Sequence, residues 1–418
     1  MKESLTEVKG LVDKIRVSAR EVRTLGRVEG DLYLEKRAEV KGEGSPPRLI
    51  VSGMIYCEGK NTFDCSVSAR NFEAEDDVIV KGSLEIEERI EVEDGKLEVY
   101  GDLKAKYVDV DNALYVKGSL KVKEADVGGS LTAEGPVEAE NIDVGGSLRA
   151  EEKVKAKTID VGGGLKINGK AEIDEIRVGG AAKVAGGKIG HIDVGGLFES
   201  RGQIEFENID VGGAVRIIGE NNKGGEIDVG GKLEVKGNLI FKNIDVGGIF
   251  HAEGKLEGEN IDVGGKMKVD GTVKLAGDVD IGGKLEVKDE IYACNVDVGG
   301  ALYAKKVQAE NRVEVGGSVE TKEGVNAHFF KIGKRGRVHG PLKAERIIIG
   351  QDARVEDVYG KEITLRRDAR ARNVYGETIR IESGCHIEGE IKYTRELRMD
   401  DHVHLAKAPQ KVDKLPYE

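Results

Sequence analysis

A five-residue unit, Ile-Asp-Val-Gly-Gly or a close variant, recurs twelve times in this chain. Its first glycine stands at 128, 145, 162, 179, 195, 212, 230, 247, 264, 282, 299 and 316. Successive units follow at a nearly constant spacing of about 17 residues, a regularity that dictates a repeat architecture in which each unit buries its apolar residues against the next. Within one repeat, Ile142, Val144, Leu148 and Ala150 are apolar, whereas Asp143, Ser147 and Arg149 are polar. Val154 and Ala156 add a second short alternation. Period two is the mark of strands with one buried face. Helical solenoids need periods above about 30 residues and leucine-rich repeats about 20 or more. The pattern therefore predicts an all-β fold, a three-sided parallel β-helix of about 17 residues per coil.

Looser versions of the unit extend the solenoid in both directions. Upstream stand Val28-Glu29-Gly30, Val80-Lys81-Gly82, Val99-Tyr100-Gly101 and Val116-Lys117-Gly118, unevenly spaced. Downstream the period shortens to 16, aligning Ile347, Ile363 and Ile379, then Ile349, Leu365 and Ile381, then Ala353, Ala369 and Cys385. The chain divides accordingly into an N-terminal segment (1–21), irregular coils (22–122), regular coils (123–330), 16-residue coils (331–405) and a tail (406–418). Leu5, Val8, Val12 and Ile15 fall at helical spacing and predict a short capping helix. Pro409 and Pro416, in a stretch without period, predict an extended or disordered tail.

Composition narrows the function. The formal charge is −12, which gives no general reason to expect nucleic acid as a partner. No apolar run long enough to span a bilayer is present, so a transmembrane helix is not expected and a cytoplasmic location is. Cys57, Cys65, Cys294 and Cys385 have neither the density of a disulfide framework nor a zinc-binding spacing, and free thiols follow.

Stacking turns every repeated residue into a ladder with rungs about 4.8 Å apart. The most conspicuous is acidic: Asp126, Asp143, Asp160, Asp193, Asp210, Asp228, Asp245, Asp262, Asp280 and Asp297, broken by Arg177 and continued by Glu314. Its carboxylates are expected to accept backbone amides or to meet Lys and Arg on a neighbouring face, ahead of any role as a metal track. Asn141, Asn208, Asn243, Asn260 and Asn295 form a second ladder whose amides can bond coil to coil. The glycine pairs are expected to satisfy the dihedral demands of a tight corner. No coil gathers the carboxylates and aromatic platforms that a glycan-cleaving enzyme needs, and Trp is absent. Neither a cofactor, a metal nor a catalytic residue is expected.

One asymmetry stands out. Residues 331–398 carry a net charge of +5 and the remainder −17. The excess is densest at Arg366, Arg367, Arg370 and Arg372, near Tyr359 and Tyr375, and points to contact with an acidic partner, including another copy of the chain. At the end of the solenoid, Ile387, Ile391, Tyr393 and Leu397 are the candidate end-to-end contact.

The Val-x-Gly-x-Leu-x-apolar coils, their period, and the run Val358-Tyr359-Gly360 through Val374-Tyr375-Gly376 to Gly389 resemble the bactofilins, polymer-forming cytoskeletal proteins. The resemblance implies that the β-helix is right-handed, and that the chain is a structural scaffold assembling through the ends of its β-helix into dimers or filaments without a nucleotide. It also implies partners among other cytoskeletal or envelope-associated proteins. The alternative is a β-helical rod that does not polymerise and presents an acidic face or basic end to a macromolecular partner.

Overall fold

The computed structural model of the chain describes residues 14–416. They form parallel strands stacked as a β-solenoid, about 23 turns of ~17 residues, with no helix among the described residues. The chain divides into two compact units after Arg201, inside the regular repeat.

In the first unit most coils contribute three strands, and from Val154 onward two of the three run together as one longer strand, as in Val154–Val161. Tyr107–Val110, Ala113–Val116 and Leu120–Lys121 make one coil, and each pairs in parallel with its counterpart in the next, Glu124–Val127, Ser130–Ala133 and Val137–Glu138. The pleat sends alternate residues inward. Ile142, Val144, Leu148 and Ala150 are buried as the alternation requires, and Leu131, Leu148, Leu165 and Ala182 stack as one core column. Phe63 and Phe72 fill the wider early coils edge to face, with ring centroids 5.9 Å apart. The first strand is Lys14–Val17, paired with Asp31–Leu34. Ile15 therefore lies in a strand rather than a helix, while Leu5, Val8 and Val12 lie outside the described residues.

The second unit repeats this logic. Val215, Leu233, Phe250, Met267, Leu285 and Leu302 form one inward column, coil upon coil. Burying a Leu or Phe side chain contributes roughly 1.5–3 kcal/mol, so a column of this length is a large share of what holds the coils together. From Leu342 to Ile381 the 16-residue register holds: Ile347, Ile363 and Ile379 stack, as do Ile349, Leu365 and Ile381. In the tail, Gln410–Lys411 pairs in parallel with Lys392–Tyr393 and Leu415 is buried, so the segment after Pro409 is extended and adds part of a further turn.

The paired glycines also have a different cause from the one their sequence suggests. None of the pairs from Gly128-Gly129 to Gly316-Gly317 adopts a left-handed φ. A Cβ on Gly162, Gly282 or Gly299 would instead stand 2.3 Å from the carbonyl oxygen of the stacked glycine one coil earlier. The corner is glycine because the neighbouring backbone occupies the place of a side chain.

Candidate functional site: two unpaired charge ladders

Many charged side chains pair between coils. Lys121 meets Glu138 at 2.8 Å, Lys106 meets Glu88 at 2.8 Å and Lys361 meets Glu345 at 2.8 Å, each between one coil and the next. Such exposed pairs contribute little individually. Two ladders in the second unit carry charge along several successive coils without forming such pairs.

The acidic ladder of this unit comprises Asp210, Asp228, Asp245, Asp262, Asp280 and Asp297, in unbroken register on successive strands. Five are exposed and Asp297 is half-buried. Contrary to the sequence expectation, none accepts a hydrogen bond or forms an ion pair among the described residues. Their strands are bounded by glycine corners, which carry no side chain to reach back. Partial burial, reinforced by the neighbouring aspartates, lifts the carboxyls of Asp228, Asp262 and Asp297 above the usual carboxylate range. The adjoining asparagine column does bond coil to coil: the Asn260 amide donates to Asn243 Oδ1 at 3.0 Å, and Asn295 donates to Asp278 at 2.7 Å. Among the described residues no group of three or more His, Cys, Asp or Glu is gathered to hold a metal ion.

The second ladder is basic. Arg337, Arg354 and Arg370 occupy equivalent positions on successive strands, followed in the same column by His386 and His404. All five are exposed. The two imidazoles stack with centroids 4.4 Å apart. The three guanidinium groups have no carboxylate partner among the described residues, although Arg395 meets Glu377 at 3.0 Å and Arg398 meets Glu396 at 2.7 Å nearby.

The cluster read from sequence, Arg366, Arg367, Arg370 and Arg372, is divided by the fold. Arg366 and Arg367 stand at a corner, where Arg366 pairs with Glu382 at 3.1 Å. Arg372 holds Asp357 in a two-point contact, with Nε 2.9 Å from Oδ1, and this keeps the Asp357 carboxyl below its usual range. Only Arg370 joins the unpaired column. Tyr359 and Tyr375 do stack, with centroids 5.2 Å apart at 17°. Burial, then the nearby acids Asp357 and Glu390, raises their phenols. Tyr359 also edges a shallow groove of about 430 Å³ over Ala309, Ala327, Ala344 and Gly360. Its charged rim is internally satisfied, with Glu345 shared by Lys361 and, at 3.2 Å, His328.

At the C-terminal end, Ile387 and Ile391 are buried beneath the last coil and present no contact surface. Tyr393 and Leu397 lie in that coil and are half-buried. Sequence reading missed Arg337, Arg354, His386 and His404 as ladder members, although their near-constant spacing, one coil from each to the next, carried the signal. No helix among the described residues is long and apolar enough to cross a membrane. No family model, curated protein or solved structure matches this chain.

Proposed function

We propose that the chain is a structural scaffold, bactofilin-like in mode, that assembles through the C-terminal end of its solenoid. The observation that carries this reading is the last coil. Leu397 and Met399 continue the columns of Ile379 and Ile381, and Leu405 continues that of Ile387. The core columns end there with Tyr393, Leu397, Val403 and Leu405 half-buried and Met399 42% exposed. Only Lys392–Tyr393 receives a further strand; Glu396–Met399 and His404–Leu405 keep an open edge among the described residues. An unpaired edge backed by apolar side chains recruits another strand, and a second copy offers an identical one. Sedimentation velocity and electron microscopy of the full chain test this. Dimers or longer assemblies are expected, and Leu397→Arg with Met399→Arg is expected to abolish the end contact. A monomer of the unaltered chain at high concentration would overturn the reading in favour of a non-polymerising binding rod.

A further inference from the structure

We propose that the arginine column Arg337–Arg354–Arg370 docks on the aspartate column Asp210–Asp297 of a second copy, joining two solenoids side by side. The contact uses side faces and does not rest on the end contact above.

Pitch is the first argument. Both columns stand on consecutive, register-matched parallel strands, so both repeat at about 4.8 Å. A guanidinium on one column placed opposite a carboxylate sets every following rung opposite another, and the planar fork of arginine suits a carboxylate.

Electrostatic need is the second. Like charges held one strand apart repel, and neither column forms an ion pair among the described residues, although Arg312 and Lys331 lie near Asp297. Within one chain the two columns cannot meet. The acidic run stops at Asp297, its column continues through Glu314 and Lys331, which pair with each other at 2.9 Å, and Arg337 begins on the following face. Relief comes only from another molecule.

Access is the third. The aspartates are followed in each coil by Val or Ile and then the bare glycine pair, so a partner's long arginines approach without obstruction. Two residues beyond Arg354 and His386 stand Glu356 and Glu388, half-buried and exposed respectively, and these oppose an anionic partner of either kind; what favours the aspartate column is that its rungs repeat at the same pitch as the arginines.

The test uses full-length protein carrying Leu397→Arg and Met399→Arg, so that end assembly does not contribute. Light scattering and sedimentation at low and high salt are compared for this parent, for Arg337→Glu/Arg354→Glu/Arg370→Glu, and for Asp228→Lys/Asp245→Lys/Asp262→Lys. Circular dichroism checks each fold, and Arg→Gln versions at the same three positions stand in if a reversal does not fold. The parent is expected to associate at low salt and dissociate at high salt. Each reversal alone is expected to weaken association by roughly tenfold or more. An equimolar mixture of the two reversals, whose new Glu and Lys ladders are complementary, is expected to restore it. A parent that stays monomeric at low salt, or a mixture that fails to recover, overturns the proposal. Salt-sensitive binding of duplex DNA or polyphosphate by the parent, with self-association untouched by the Asp→Lys changes, overturns it in favour of a polyanion.

Discussion

The solenoid turns one of its corners in two ways. In the central coils a strand such as Asn243–Val246 passes through Gly247-Gly248 directly into Ile249–Glu253. From Gly333 onward the same corner takes four residues and a left-handed one: Arg335, Asp352, Asp368, Gly384 and His402 all have φ near +60° to +75°. The turn is closed within the coil, as where the Ala353 amide donates to the Gly350 carbonyl at 3.2 Å and Ala369 to Arg366 at 3.1 Å. The early coils do likewise at Arg20 and Arg37. The difference teaches where the constraint lives. A two-residue corner is shaped by the backbone of the coil beneath it, and glycine fills it from Gly128-Gly129 onward, after Asp111-Asn112 in the coil before. A four-residue corner satisfies itself and leaves its side chains free to carry charge, and the unpaired arginine column begins where the second kind of corner replaces the first.

The largest expected effect is one the two regions share. Leu285→Asp in the central coils and Ile363→Asp in the C-terminal coils each bury an unpaired carboxylate, and each is expected to cost about 4 kcal/mol or more in urea unfolding. A markedly smaller loss at Ile363 would show the C-terminal coils to be the looser packed. The corners themselves separate the regions more sharply. Gly282→Ala forces a methyl against the Gly264 carbonyl and is expected to cost about 2–3 kcal/mol. Asp352→Gly, where the left-handed backbone already favours glycine, is expected to change stability by no more than about 0.5 kcal/mol. Equal losses at the two corners would sink the comparison.

A smaller effect concerns pH. The folded-state carboxyls of Asp228 and Asp262 lie above their ordinary value, through burial and then through the neighbouring aspartates. Proton binding therefore favours the folded form, and the stability it supplies is present at low pH and lost as pH rises through the raised folded value. Asp262→Asn is accordingly expected to stabilise the protein at pH 7 by about 0.5 kcal/mol at low salt, with screening already allowed for. The gain should vanish in thermal melts at about pH 3, below the ordinary and the raised value alike, where the native aspartate is itself neutral. The least perturbing probe is chemical. Burial raises the Cys65 and Cys385 thiols to about 11 and Cys57 further still, whereas Cys294 is only half-buried. Alkylation of native protein, followed by mass spectrometry, is expected to label Cys294 first.

Much of the fold was legible because burial imposes period two along a strand and stacking imposes period 17 or 16 along the chain. Ile347, Ile363 and Ile379 share a column for both reasons. The glycine pairs were visible as a pattern, but their cause lies one coil away, where sequence carries no sign of it. The candidate site was harder to read because clustering in sequence is a poor guide to clustering in a solenoid. Arg366, Arg367, Arg370 and Arg372 are close along the chain and lie on different faces, while Arg337, Arg354 and Arg370 are far apart along the chain and adjacent in space. The aspartates' lack of partners was equally hidden, since the neighbours that decide it come from other strands.

The glycine corners make the length of this molecule an adjustable quantity. Removing residues 247–263 would join Val246 to Gly264 and bring Asp245 beneath Asp280, with each inward column closing up by one rung, as the pairings of these coils require. The chain can thus be shortened or lengthened in whole coils, each worth about 4.8 Å, without a new core having to be invented. In the side contact proposed above, the same edit made between Asp297 and Arg337 would alter the offset between two copies in equal steps, a repeat count written in the gene setting a spacing in that proposed assembly.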